Sequence, residues 1–138
     1  MQEISTETSR TVVAGFFRAL RAGDMDAVRT TLAPDATWIL RGGLPASGTW
    51  TGRDGVMDGF FTQIFGRLDP ETPVVQDVHR IIADGEHAVA EWTTHARTRD
   101  GRSYENDYVG VFRVVDGHVT AVTEYLDTAH AQRVLFNC

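Results

Sequence analysis

Several things are scarce in this chain, and each scarcity narrows its chemistry. Among 138 residues there is one cysteine, Cys138 at the last position. An internal disulfide and a cysteine cluster for zinc are therefore excluded, and a reducing cytoplasm is the expected compartment. No apolar run approaches the roughly 20 residues of a membrane helix, so no membrane partner is expected. The opening stretch, MQEISTETSR, lacks the basic-then-apolar pattern of a secretory signal. Basic clusters are missing too: 13 Lys and Arg stand against 19 Asp and Glu, for a formal net charge of -6. That balance speaks against neutralising phosphates, and no nucleic-acid partner is expected. Without repeats, low-complexity segments or linkers, residues 1–138 read as one domain, and 42% hydrophobic residues suffice for a real core.

What is present begins with helices. Ser5 or Thr6 can cap a first helix, supported by Glu7, in which Val12, Val13, Phe16, Phe17 and Leu20 share a face. Gly23 ends it, and Asp24 caps a second, short helix through about Leu32, closed by Pro34. Ala36 to Leu40 reads as a strand with Trp38 and Leu40 on a common face. Arg41 to Thr51, RGGLPASGTWT, reads as loop, because four of its residues are Gly or Pro. Its Trp50 either covers a cavity or packs at the surface. A third helix is expected from about Arg53 to Leu68, with Val56, Phe60, Ile64 and Leu68 in line.

The remainder reads as strand. Val74 to Ala83, His87 to Thr98 and the two arms of Tyr104 to Asp127 are joined at three Asp-Gly pairs, which makes a four-stranded antiparallel meander. Asp127 then caps a short helix, TAHAQRVLF. A three-residue loop at Val115-Asp116-Gly117 sets Tyr108 opposite Glu124. It places Tyr104, Asn106, Tyr108, Phe112, Val122, Glu124 and Leu126 on one face. A two-residue turn at Asp100-Gly101 puts His95 beside Asn106 and Glu91 beside Gly110, whereas a three-residue loop puts Trp92, Thr94 and Ala96 beside the tyrosines. The commoner two-residue turn is the expectation, and a slip of one residue inverts the strand. A three-residue loop at Ala83-Asp84-Gly85 adds Val75, Asp77, His79 and Ile81 to the face of Glu91 and His95. Val78, Ile82, Ala88, Ala90, Trp92, Val109 and Val111 then form a second apolar face. Helices cover one side of such a sheet, and a second copy of the chain, in a homodimer, is expected on the other.

A carboxylate, a phenol and a carboxamide among apolar groups describe a pocket wall. Glu124 is the leading candidate for general acid/base work, because desolvation raises a carboxyl pKa towards neutrality. Tyr108, and less so Tyr104, can donate to a developing oxyanion. His95 is the second acid/base candidate if it faces inward. Asn106 is a substrate anchor or a bridge between strands, and His79 and Glu91 are a possible buried pair. Trp38, Leu40, Phe16, Phe17 and Phe60 are core or cavity lining. The spacing of the histidines and carboxylates matches no metal motif, so neither metal nor cofactor is expected.

The element order, with the phrases TWTGRDGV, GRSYENDYVGVFRVVDGHVT and TEYLDTA, resembles the nuclear-transport-factor-2-like superfamily, and within it the SnoaL-like and ketosteroid-isomerase-related branch. The likeness runs from about Thr8 to Phe136. It implies an α+β fold, a cone of three N-terminal helices on a curved antiparallel sheet, with a cavity for a small hydrophobic molecule. It also implies acid/base isomerisation, cyclisation or dehydration of a polyketide- or terpenoid-like substrate. The aspartate base of ketosteroid isomerase has no counterpart in Leu40-Arg41-Gly42. Limonene epoxide hydrolase aligns its catalytic aspartate with Glu124, its water-holding tyrosine and asparagine with Trp38 and Leu40, and its Arg-Asp partners near Glu91, Thr93 or His95. The resemblance thus implies Glu124, Tyr108 and His95 as catalytic residues, and Trp38, Leu40, Glu91, Tyr104, Asn106, Phe17 and Phe60 around the substrate. The alternatives are an epoxide-opening cyclase or epoxide hydrolase, and a non-catalytic ligand-binding or dimerisation module.

Overall fold

A computed structural model describes residues 2–137. Its first helix, α1, spans Gln2–Ala22 and begins ahead of the expected caps. Ser5 is not the cap, and Thr6 and Ser9 serve instead as a tether. The Thr6 hydroxyl accepts from the Gly85 N–H at 2.8 Å, and Ser9 donates to the Gly85 carbonyl at 2.7 Å. Val13, Phe16 and Phe17 are buried along the inner face of α1, as their helical spacing requires. Asp24 caps α2, Met25–Thr31, by accepting from the Ala27 N–H.

Pro34 does not close α2; it lies inside strand β1, Leu32–Leu40, which is longer than the Ala36 start expected for it. The stretch expected to be loop contains a strand, β2, Gly48–Thr51, which pairs antiparallel with β1 and sets Trp50 opposite Trp38. Pairing on one edge overrides the Gly and Pro content there. Trp50 is packed: its indole N–H donates to the Ala46 carbonyl at 3.0 Å, and its ring lies 5.6 Å from that of Phe60. The third helix, α3, is a π-helical stretch, Gly55–Phe61, running on into Thr62–Phe65. Its wide turns bury Phe60 and Phe61 together, while Leu68 lies beyond it in an isolated bridge to Thr98.

Four strands follow, β3 Val75–Asp84, β4 His87–Arg97, β5 Ser103–Val115 and β6 His118–Leu126. They form the antiparallel meander that the Asp-Gly pairs predict. The six strands lie in the order β2-β1-β6-β5-β4-β3, with β1 parallel to β6. A last helix, α4, is Thr128–His130 continued by the π-turn Ala131–Leu135, with Asp127 capping it through the His130 N–H. The fold is the expected α+β cone, with helices on the concave face of the sheet.

The turns differ from expectation in a way that decides the site. Between β4 and β5 the loop is the three-residue Arg99-Asp100-Gly101, closed by Thr98 and Arg102 through hydrogen bonds in both directions. Gly101 takes the left-handed φ of 87° that such a loop needs. Ala96 therefore pairs with Tyr104, Thr94 with Asn106 and Trp92 with Tyr108, while Glu91 and His95 turn to the other side. Between β5 and β6 the loop is instead the two-residue Asp116-Gly117, with φ of 51° and 78°. The ladder then slips at Thr120, so Glu124 faces Gly110 and Tyr108 faces Leu126. The β3–β4 turn is also a two-residue one, pairing Asp84 with His87, and β3 is irregular between Val78 and Arg80, so Ile81 turns inward against Ala90. The outer face of the sheet thus keeps Ile82, Val109 and Val111 of the expected apolar set, whereas Ala88, Ala90 and Trp92 are buried in the core.

Candidate active site

The concave face and the helices enclose a cavity with about 80 Å³ open to the centre of a water molecule. Counting roughly 10–15 Å³ for each water-sized group, its deep part holds about half a dozen such groups. Aromatic rings make most of its wall. Trp38 lies 5.2 Å from Phe61 and 5.7 Å from Phe60, and Trp92 lies 4.9 Å from Phe17. Trp92 also stacks on Tyr108 across the β4–β5 ladder, at 5.2 Å and 8°. Such contacts fix the rings against one another and leave little rotamer freedom around a ligand. Gly110, opposite Glu124, makes room for this wall: a Cβ there would stand 2.9 Å from Phe112 and 3.0 Å from Trp92.

Among the described residues Glu124 is the one carboxylate in the lining. It is 8% exposed, no cation pairs with it among the described residues, and its one recorded hydrogen bond is a long one from the Trp38 indole, 3.5 Å. Desolvation dominates and pushes its carboxyl from 4.5 up to about 7, the Trp38 bond pulling weakly the other way. Near neutral pH the group is therefore present both as acid and as base, which suits proton transfer in either direction.

The two tyrosines form a chain beside it. Their hydroxyls are 2.6 Å apart, and the Asn106 carboxamide N–H donates to Tyr104 at 2.9 Å. Asn106 is itself held from both ends, donating to the Asp127 carbonyl at 3.0 Å and accepting from the Asp107 N–H at 2.9 Å. Those partners fix the orientation of the amide, so Tyr104 receives a hydrogen bond and can pass its own proton to Tyr108. Burial first, then the nearby Tyr104 and Glu124, push the Tyr108 phenol well above its ordinary value. Burial likewise raises Tyr104, its contacts with Tyr108 and Asn106 pulling the other way. Both remain neutral hydrogen-bond donors at physiological pH.

Of the expected residues, Glu124, Tyr108, Tyr104, Trp38, Leu40, Phe17 and Phe60 line the cavity. Asn106 is buried behind the tyrosines, bonded to the Tyr104 hydroxyl. His95 and Glu91 are corrected. They lie on the outer face, His95 against Glu105 at 2.9 Å and Glu91 against Arg80 at 2.7 Å. The expected His79–Glu91 pair does not form either, since His79 meets the Thr93 hydroxyl at 2.8 Å, which donates to Asp107. Sequence reasoning missed Gln76, Trp92 and Thr94, which line the cavity from β3 and β4, and Leu135 and Phe136, which close it from α4. The alternative loop at Asp100-Gly101 was the signal for Trp92 and Thr94. Among the described residues, no group of three or more His, Cys, Asp or Glu could hold a metal ion, and no helix is long and apolar enough to cross a membrane.

A helix-covered curved sheet around a cavity defines a cone of the nuclear-transport-factor-2-like kind. Residues 13–122 match the SnoaL-like domain model, and the chain belongs to that family. Solved structures agree on the fold. A nuclear-transport-factor-2-like protein of unknown function from Burkholderia pseudomallei superposes with a TM-score of 0.80 at 26% identity, covering 93% of this chain and 97% of that one. An LEH-like epoxide hydrolase from M. tuberculosis superposes at 0.74 with 23% identity, covering 95% and 91%. A protein from Xanthomonas campestris named as a candidate polyketide cyclase superposes at 0.75 with 22% identity, covering 91% and 94%. No curated protein matches the sequence.

Proposed function

We propose that this protein is a cofactor-independent enzyme that isomerises, cyclises or dehydrates a small hydrophobic substrate by acid/base chemistry at Glu124. The observation that carries the reading is an unpaired carboxyl, buried in an aromatic cavity beside a hydrogen-bonded tyrosine pair. In the carboxylate form Glu124 takes a proton from carbon next to a substrate carbonyl, whose oxygen gains charge and accepts a hydrogen bond from Tyr108. As an acid it returns a proton to another carbon or to a leaving oxygen. The chain from Asn106 through Tyr104 holds Tyr108 in place as the donor, so the site need not reorganise as charge develops. A non-catalytic binding module would be favoured by a cavity filled with side chains or a salt-bridged Glu124, and neither is present among the described residues. The lining carries Trp38 and Leu40 where the limonene epoxide hydrolase resemblance calls for a water-holding tyrosine and asparagine, which weighs against simple epoxide hydrolysis.

The test needs no natural substrate. A cyclohexanone bearing a phenyl ring across from its carbonyl should exchange its α-protons in heavy water faster with the enzyme than without. Glu124→Gln should slow that exchange roughly 100- to 10,000-fold, the usual contribution of a general base. Full exchange in the variant, followed by mass spectrometry, would sink the assignment.

A second copy of the chain is our reading for the outer sheet face, where Tyr125 is 47% and Ile82 61% exposed. Sedimentation should give twice the 15.3 kDa chain mass for the wild type and the chain mass itself for Tyr125→Asp. A wild type that sediments as a monomer at micromolar concentration contradicts this.

A further inference from the structure

The deep cavity has a wider neighbour. It shares Leu20, Phe61, Phe65, Leu68, Val74 and Gln76 with a wider recess of about 650 Å³ bounded by the ends of α1 and α3 and the segment leading into β3. These six side chains are the boundary, or neck, that the two linings share. Five of them are apolar, and Gln76 is the exception.

Gln76 is 9% exposed, and its carboxamide oxygen has no hydrogen-bond partner among the described residues. Its position on β3 sets it opposite Thr94 on β4, with both side chains in the cavity lining. The Thr94 hydroxyl accepts from the Trp92 indole at 3.2 Å, which leaves its own proton for a third group. An orphaned acceptor at the neck and a free donor in the deep cavity therefore stand side by side, in the lining that also holds Glu124 and Tyr108. A buried acceptor without a partner costs free energy that a correctly placed donor restores.

We propose that Gln76 and Thr94 form a second polar subsite that reads a hydroxyl on the substrate, remote from the carbon on which Glu124 acts. The ligand class is a two-ended molecule, an apolar ring body with a carbonyl at the Glu124 end and a hydroxyl at the neck. A hydroxyl suits the pair because it donates to the Gln76 oxygen while accepting from Thr94, and it fits the carboxamide in either orientation. An ether or a bare hydrocarbon leaves Gln76 unpaired. The apolar neck carries the ring body, so selectivity falls to the one polar side chain in it. This deepens the acid/base reading and rests on it for the carbonyl end.

The experiment is a tryptophan-fluorescence titration of the full chain, since Trp38 and Trp92 both line the cavity. Three probes are used: cyclohexanones carrying a phenyl, a para-hydroxyphenyl or a para-methoxyphenyl ring across from the carbonyl. The hydroxyphenyl ketone should bind about tenfold tighter than the phenyl ketone, the methoxyphenyl ketone no tighter than the phenyl one. Gln76→Met, similar in size, should abolish the hydroxyl preference, so that the hydroxyphenyl and phenyl ketones bind that variant about equally well. The methoxy comparison reads the same hydrogen bond in the wild type alone, whether or not the variant folds. Equal binding of all three ketones, a preference that survives Gln76→Met, or no binding of any of them at about millimolar concentration would overturn the proposal. Glu124→Gln separates the two readings. If the acid/base reading fails, α-proton exchange survives that change while the Gln76-dependent preference is still measured. If the subsite fails, the preference is lost in a protein whose exchange still depends on Glu124.

Discussion

The two faces of one sheet treat their carboxylates in opposite ways. On the outer face, Glu91 meets Arg80 at 2.7 Å, Glu105 meets His95 at 2.9 Å and Asp107 takes a hydrogen bond from Thr93 at 2.7 Å. On the concave face Glu124 has, among the described residues, no cation and one long hydrogen bond, and its pKa rises to about 7. The same strands supply both sets, and alternation along the strand assigns each residue to its face. Paired, half-exposed groups contribute little either way. A lone buried acid makes the fold less stable in its charged form, and that strain is what makes it chemically useful.

Removing the inner acid tests the contrast most strongly. Below about pH 4.5 Glu124 is protonated in both folded and unfolded chains. Between about 4.5 and about 7 the folded protein holds a proton that the unfolded chain has released, so the contribution of this group to stability falls as pH rises. The loss is complete above about pH 7 and amounts to about 3 kcal/mol at most. Urea unfolding at pH 5 and pH 8 should therefore show a smaller drop in stability for Glu124→Gln than for the wild type, by up to that amount. An identical drop in both proteins would mean that the carboxyl is not desolvated. The outer face should answer weakly. His95→Ala is expected to leave α-proton exchange unchanged and to move stability by no more than about 0.5 kcal/mol, as for an ordinary surface residue. A large loss of exchange would return His95 to the site and break the comparison.

The part of the site that was legible in sequence lies within single strands. Alternation in β5 and β6 put Tyr104, Asn106, Tyr108, Phe112, Val122 and Glu124 on one face, and all but the half-buried Tyr108 are buried. Relations between strands were less legible, because one added residue in a turn inverts everything beyond it. Asp-Gly fits both a two- and a three-residue loop. The hydroxyl of Thr98, closing with Arg102, selects the longer one between β4 and β5 and sends His95 and Glu91 outward. The slip at Thr120 has no signature in the sequence, yet together with the shorter Asp116-Gly117 turn it moves Glu124 from Tyr108 to Gly110. Likewise β2 exists because β1 offers it an edge, against its Gly and Pro content. Gln76 lay on a strand whose inward face depended on those same turns, which is why its place at the neck emerged only from the structure.

Glu124 is a desolvated acid without a counter-charge among the described residues. Carbon-13 NMR of the glutamate side-chain carboxyls, with Glu124→Gln used to assign the resonance, measures this directly. The predicted midpoint for Glu124 is about 7. A midpoint near the ordinary glutamate value of about 4.3 would show a solvated or paired carboxylate and contradict the account.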